Sequence, residues 1–243
     1  MKTLGIIGFG RMGQLLVRHL RSDFKIKVSD KFLTHNQILD SGYTPGTNTE
    51  VAKLDIVIIC VPVRYFEKLI IEIKDHVKRG ALVLDMCSVK DYPKKIMLKH
   101  LSDDISLLGT HPMFGPDSAK FSVEGKKIIL TPIRVSSIIL DQVKSYLNQK
   151  KLNIIIASSK DHDFQMGQSL LLTHIIGRAL IEFGAKNVEI DTDGYIQLMK
   201  ILKTVQNDSI ELYEDMNHYN KYAQEIRNHF KLSLEKVTKG FDP

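Results

Sequence analysis

The sequence holds only two cysteines in 243 residues, Cys60 and Cys87. Two thiols build no disulfide framework, and each closes an apolar run, where cysteine behaves as a small buried hydrophobe. No apolar run reaches the roughly 18 residues that a membrane span needs. No dense Lys/Arg stripe with interleaved aromatics occurs, so the net charge of +6 is not a nucleic-acid footprint. That charge suits the steering of a small anionic substrate, or is simply a solvated basic surface. No His-x-x-x-His spacing is present and His162 and Asp163 are adjacent, so no metal site is expected. Internal repeats and low-complexity segments are also missing. Lys2 to Gly10 runs straight into a structured pattern instead of a leader, and the expectation is a soluble protein of a reducing, cytoplasmic setting. What is abundant is apolar side chain, 43% of the residues, which supports a real core and argues against disorder.

The opening stretch, KTLGIIGFGRMGQLLVRHL, carries the first motif. An apolar run over 3–8 fits a buried parallel strand. Gly8, Gly10 and Gly13 then spell G-x-G-x-x-G, and Leu15, Leu16, His19 and Leu20 follow at helical spacing. The segment 24–30 alternates as a strand and ends in Asp30. Strand, glycine turn, helix and a second strand ending in an acid are the components of a dinucleotide site. Gly8 permits the tight turn, Gly10 lets the backbone approach a pyrophosphate, and Gly13 lets the helix pack on the strand. The helix N-terminus offers unpaired N–H groups to phosphate. Asp30 is suited to accept from both ribose hydroxyls and would repel a 2′-phosphate, which favours NAD over NADP; Lys31 beside it softens that preference. Arg11 and Met12 inside the loop, and Val61 and Pro62 at the end of a later strand, complete the expected cofactor contacts.

Strands alternate with helices for the next hundred residues: strands at 54–62, 81–88, 126–132 and 152–157, a further strand leading into residues 111–116, and helices at 63–77, 94–101 and 135–150. Such alternation predicts a parallel, doubly wound α/β sheet of Rossmann type, with ligands at the carboxyl ends of the strands. Past residue 158 no strand pattern returns. A long helix is predicted from Ser158 or Ser159 to a C-cap at Gly184, with Leu170, Leu171, His174, Ile175 and Arg178 on one face. Further helices follow over 192–209 and 210–237. The predicted organisation is a dinucleotide-binding domain over 1–156 and a smaller all-α domain over 157–243. So small a helical domain with so much apolar surface gains from pairing with a second copy.

HPMFGP, residues 111–116, reads as a turn because of its Pro and Gly-Pro punctuation. A histidine in such a segment, read alone, is more often loop decoration than a base. Ser88 alone is a strand-end cap. Lys90 is expected to bind a nearby carbonyl or carboxylate, His174 to be a satisfied core histidine, and Arg178 to bind a carboxylate or an acidic neighbour. His162 and Asp163 are expected to start the long helix.

In this order and spacing, GIIGFGRMG, the CVP strand end, DMCSVK, GTHPMFGP, SLLLTHIIGRAL and NDSIELYEDM resemble the prephenate and arogenate dehydrogenases of tyrosine biosynthesis over most of the chain. The resemblance implies oxidative decarboxylation of prephenate to 4-hydroxyphenylpyruvate with NAD, and a homodimer whose helical domains interlock. It implies a catalytic base in His111, a partner in Ser88 that hydrogen-bonds imidazole and substrate hydroxyl, and substrate binding by His174, with Arg178 and Lys200 as further candidates. The chain departs from the pattern where many members carry Asp and then Arg ahead of ELYEDM; those places hold Ile201 and Thr204, with Lys200 in the preceding basic position and Lys203 beside the missing arginine. Arg and Lys are not interchangeable for bidentate carboxylate binding. Arogenate as substrate, another two-domain nicotinamide oxidoreductase, and a nucleotide-bound regulatory protein without turnover are the alternatives.

Overall fold

The computed structural model describes residues 2–240 and divides into two units, one ending at Ser159 and the other beginning at Lys160.

The first unit is built on one eight-stranded sheet. Its strands are β1 (Thr3–Ile7), β2 (Lys25–Ser29), β3 (Thr44–Pro45), β4 (Ile56–Ile59), β5 (Leu82–Asp85), β6 (Ser106–Pro112), β7 (Lys127–Arg134) and β8 (Asn153–Ile156), in spatial order β3-β2-β1-β4-β5-β6-β7-β8. β1 to β6 run parallel, as the alternation predicts. β7 is antiparallel to β6 and carries the parallel β8 with it, which corrects an all-parallel reading. The cause is the connection: 113–126 contains no helix, whereas a parallel return needs a crossover element.

Helices α1 (Arg11–Leu20), α2 (His35–Asp40), α3 (Asn48–Ala52), α4 (Val63–Ile73), α5 (Asp91–His100) and α6 (Ser137–Gln149) connect the strands. The central strands read as unbroken apolar runs because both faces are covered: every residue of β5 is buried, and β4 buries Val57, Ile58 and Ile59. The core joins Leu4, Ile6, Val28, Ile58, Leu84, Leu108 and Leu130 across the sheet. α2 and α3 escape a periodicity reading because each is so short. Both are fixed by capping boxes, Thr34 with Gln37 and Thr47 with Glu50, in which side chains satisfy the orphan N–H groups of the first turn.

The second unit is helical. The long helix expected from Ser158 or Ser159 to Gly184 runs unbroken over 159–182, as α7 (Ser159–Met166), a π-helical turn over Gly167–Leu171 and α8 (Leu172–Glu182), and Gly184 follows it at φ +76°. α9 (Asp193–Asn207) follows, and the segment expected as one stretch over 210–237 divides at Asn220 into α10 (Ile210–Tyr219) and α11 (Ala223–Thr238). Thr192 and Ser209 cap α9 and α10 by accepting from Tyr195 N and Leu212 N. Leu171, Met216 and Ala223 form its core, and Val205 packs on Gly177, where a Cβ would stand 2.5 Å from Val205 Cγ2. No helix among the described residues is long and apolar enough to cross a membrane.

Candidate functional site

Because β1, β2, β4, β5 and β6 are parallel, their carboxyl ends lie along one edge of the sheet. The sequence places the glycine loop after β1, Asp30 after β2, Val61 and Pro62 after β4, Ser88 after β5 and His111 at the end of β6. All the first-unit candidates therefore share that edge.

The glycine loop is shaped by contacts that only glycine tolerates. Gly8 sits at φ +101°, and a Cβ there would fall 2.6 Å from the Cys60 carbonyl oxygen. A Cβ on Gly13 would fall 2.1 Å from the Gly8 oxygen, so α1 packs against the turn at a distance that no side chain permits. Around Gly10, by contrast, a Cβ would meet nothing within 4 Å. That open space lies at the N-cap of α1, which has no side-chain cap bond, so the first turn of the helix, where backbone N–H groups lack intrahelical partners, opens onto room for a phosphate. Arg11 is drawn to Asp117 at 2.6 Å on the surface.

The Asp30 carboxylate is pinned at the floor of this loop. Oδ2 accepts from Phe9 N at 2.6 Å, and Oδ1 accepts from Phe32 N at 2.8 Å and Leu33 N at 3.1 Å. A carboxylate has about four lone-pair positions, so it keeps acceptor capacity for a ribose hydroxyl. The Lys31 ammonium stands 5.5 Å from the Phe32 ring centroid and 5.7 Å from that of Tyr65. Open cradle, helix N-terminus and anchored acid together fit a dinucleotide.

His111 was expected in a turn; it lies in a strand, paired with Ile129 of β7, and Pro112 pairs with Ile128. A proline is tolerated there because it is the last residue of the strand, and Met113 N resumes bonding to the Lys127 oxygen at 2.9 Å. The imidazole is therefore held by a ladder, and His111 is 8% exposed. Ser88 is 7% exposed, and its Oγ has no hydrogen-bond partner among the described residues. An orphaned buried hydroxyl costs stability unless something that binds there satisfies it. Cys87 beside it is no nucleophile: burial, and then the Asp85 charge, push its thiol well above the usual range.

Lys90 does what its sequence position suggests. It is fully buried, pairs with the equally buried Asp85, and donates to the Thr110 carbonyl at 2.7 Å. Asp85 was missed by sequence reasoning; an acid ending an apolar strand five residues before a lysine was the available signal.

In the helical unit, His174 is 1% exposed on α8, with Nε2 3.4 Å from Asp208 Oδ2 and its ring stacked on Tyr213 at 6.2 Å. Its Nδ1 is buried without a partner among the described residues, so it is not a fully satisfied core histidine. Arg178, one turn on, lies over the other partner of that stack: its guanidinium carbon is 4.8 Å from the Tyr213 centroid and Nη2 donates to the Ser209 carbonyl at 3.3 Å. Its Nε is likewise buried and unpartnered among the described residues. Tyr213 and Asp208 thus join His174 and Arg178 in one polar cluster that sequence reasoning did not assemble. Lys200 is exposed on α9, and no contact links it to this cluster among the described residues. Thr204, in place of the family's arginine, spends its hydroxyl on the Lys200 carbonyl at 3.0 Å. His162 and Asp163, buried and 2.8 Å apart, sit in the first turns of α7, where the Asp163 carbonyl accepts from Asn220 Nδ2 at 2.7 Å. Among the described residues no cluster has the makings of a metal site.

The sheet edge and its glycine loop define the class, a Rossmann-type nucleotide-binding protein with an appended helical unit. The family model for the nucleotide-binding domain of prephenate dehydrogenase matches residues 30–156, just over half of the chain, and a TYRAAT1-like C-terminal domain matches 179–242. The chain belongs to the prephenate dehydrogenase family. It is 27% identical to an Arabidopsis thaliana protein named arogenate dehydrogenase 2, chloroplastic, over 97% of this chain and 69% of that one. It is 28% identical to a Methanocaldococcus jannaschii protein named probable arogenate/prephenate dehydrogenase, over 94% of this chain and 54% of that one. It spans only 38% of a further A. thaliana relative, arogenate dehydrogenase 1. Its fold matches the crystal structure of Aquifex aeolicus prephenate dehydrogenase in complex with hydroxyphenyl propionate and NAD+ at a TM-score of 0.77, with 24% identity, 98% of this chain and 90% of that chain covered.

Proposed function

We propose that the chain catalyses the oxidative decarboxylation of prephenate to 4-hydroxyphenylpyruvate, with NAD+ as cofactor. The observation that carries the reading is the joint placement of Ser88 and His111, both nearly buried, on the sheet edge that also holds the glycine loop. Gly8, Gly10, Arg11, Met12 and Gly13 hold the pyrophosphate, Asp30 the ribose, and Val61 and Pro62 flank the loop. The bound nicotinamide supplies the hydride acceptor.

The residues of the chain manage the proton. Neutral imidazole has an ordinary pKa near 6.5 and is suited to take the proton of the ring hydroxyl as the carbinol carbon loses its hydride. Ser88 bonds the same hydroxyl and fixes its angle to His111. Loss of CO2 then sends an electron pair into the ring and onto the new carbonyl oxygen, which takes the proton back from His111. No net proton is released, and aromatisation makes the step effectively irreversible. The two carboxylates of the substrate call for cations and hydrogen-bond donors. His174 and Arg178 are assigned to them because each keeps a buried nitrogen unpartnered among the described residues; Lys200 is a further, exposed candidate.

Arogenate is the second reading. Thr204 where many members carry an arginine weakens recognition of the prephenate pattern, and similar relatives bear arogenate in their names. Purified protein is mixed with NAD+ or NADP+ and with prephenate or arogenate, and reduced nicotinamide is followed by absorbance. Turnover with prephenate and NAD+ exceeding the other three pairs is expected; preference for arogenate moves the assignment to it, and no turnover with either leaves a binding protein.

The homodimer belongs to the same proposal. The helical unit exposes Phe183 (85%), Ile190 (95%), Leu232 (62%) and Val237 (68%), apolar side chains that a second copy would cover. Light scattering on the eluting protein should give twice the chain mass of 27.7 kDa; a monomer at micromolar concentration contradicts it.

A further inference from the structure

The pair Asp85–Lys90 stands in the middle of the unit, its two side chains 0% exposed. Desolvating two charges costs more than a surface pair ever returns, and apolar residues of similar volume often serve stability as well or better. Its bonding explains what it does instead. Asp85 ends β5, and its Oδ1 accepts from Cys87 N at 3.0 Å as well as from Lys90 Nζ. Lys90 closes the five-residue loop that carries Ser88, and its Nζ also donates to the Thr110 carbonyl at 2.7 Å. Thr110 answers from β6: its Oγ1 donates to the Asp85 carbonyl at 2.6 Å and lies 2.9 Å from Met86 Sδ. The next residue is His111. Gly109, opposite Asp85 in the strand register, leaves the room: a Cβ there would stand 3.1 Å from Lys90 Cδ and 3.2 Å from Asp85 Oδ2.

We propose that Asp85, Lys90 and Thr110 form a buried clamp that sets the position of Ser88 relative to His111, and that they are positioning residues for the proton transfer. The inference rests on the assignment of His111 as base. The Ser88 hydroxyl has no hydrogen-bond partner among the described residues, and the clamp fixes the backbone beside it, through Cys87 N, and the backbone beside His111, through the Thr110 carbonyl. Misplacing reacting groups by about 1 Å costs on the order of a hundredfold in rate, so a clamp of this kind acts on kcat and leaves cofactor affinity alone.

The test uses Thr110→Val, Thr110→Ser and the charge-neutral double variant Asp85→Asn with Lys90→Met, beside wild type and His111→Asn. Turnover, KM for NAD+, melting temperature and the titration of the His111 imidazole C–H resonance in the protein without nucleotide are measured on each. Thr110→Val removes the hydroxyl and keeps the shape. It should lower kcat by at least about tenfold with KM for NAD+ unchanged, and move the His111 resonance. Thr110→Ser restores the hydroxyl and should return both to near wild type. The double variant, even at wild-type melting temperature, should lose about a hundredfold in kcat. Should it fail to fold, Thr110→Val decides alone. A folded Thr110→Val or double variant with kcat within about twofold of wild type and an unmoved His111 resonance overturns the clamp. A wild type without turnover, or a fully active His111→Asn, overturns the base assignment instead, and the His111 resonance in Thr110→Val then judges the clamp by itself.

Discussion

Gly10 and Gly13 lie three residues apart in the same loop, yet the structure gives them different tasks that two alanine substitutions should separate. At Gly13 the added Cβ would lie 2.1 Å from the Gly8 carbonyl oxygen, against an ordinary carbon–oxygen contact of about 3.3 Å. Backbone meets backbone there, so α1 must move. Overpacking of this sort costs about 1–3 kcal/mol. At roughly 2–4 °C per kcal/mol for a chain of this size, the melting temperature should fall by about 2–12 °C. At Gly10 the Cβ meets nothing, and the backbone there, φ −67° and ψ −167°, is one that alanine adopts. A modest gain from a stiffer unfolded chain and a modest loss at the N-cap offset each other, so Gly10→Ala should melt within about 2 °C of wild type. The new methyl nevertheless fills the space through which a pyrophosphate reaches the first-turn N–H groups. Losing one charge-assisted hydrogen bond costs about 1.5–3 kcal/mol, or roughly 10–150-fold in Kd. Differential scanning fluorimetry and titration calorimetry with NAD+ measure both quantities on both variants. A Gly10→Ala protein that binds NAD+ within about threefold of wild type would refute the placement of the pyrophosphate in this loop.

The other expectations concern charge and packing. His111→Asn keeps the strand pairing and removes the base, so kcat should fall by about 10²–10⁴ while calorimetric NAD+ affinity stays put; a matching loss of affinity would contradict the assigned role. Asp30→Ala removes the repulsion toward a 2′-phosphate, and the ratio of kcat/KM for NAD+ over NADP+ should drop; an unchanged ratio removes Asp30 from the ribose. Asp55 is held below its ordinary carboxylate value of 3.8 by Lys78, and then by the Thr3 N–H and hydroxyl. A depressed pKa means that the stabilisation is present above the unfolded value and disappears as pH falls through the folded one. Melting curves of wild type and Asp55→Asn should therefore differ at pH 7, begin to draw together below about pH 4 and meet only once the pH has fallen through the depressed folded value; a gap no narrower near about pH 2 than at pH 7 excludes the linkage. Val205→Ala empties a fully buried contact against Gly177 and should cost about 1–3 kcal/mol by urea denaturation, since the glycine leaves nothing to collapse inward.

What the sequence disclosed and what it hid follow from the range of the forces involved. The glycine loop is legible because each glycine answers a steric demand within a few residues of itself, and the parallel strands are legible because burial on both faces makes them continuous apolar runs. Strand direction is not local: nothing in KIILTPIR tells β7 to run backwards, and only the lack of a helical pattern over 113–126 hints at it. HPMFGP misleads for a related reason. Its prolines and glycine are turn residues in isolation, but the partner that draws His111 into a ladder, Ile129, lies outside any window around it. The Thr-x-x-Gln and Thr-x-x-Glu boxes of α2 and α3 were readable and were overshadowed by their length. Lys90 shows the limit most sharply. That it binds a nearby carbonyl or carboxylate is readable, but not which one: the carbonyl is that of Thr110, twenty residues on, and the bare Cα of Gly109 makes room for its stem. Local sequence supplies the chemistry of the candidate site as residue types in order. Which of those residues are brought together is decided by partners distant in the chain, Thr110 for Lys90 and Ile129 for His111, that carry no signature of their own.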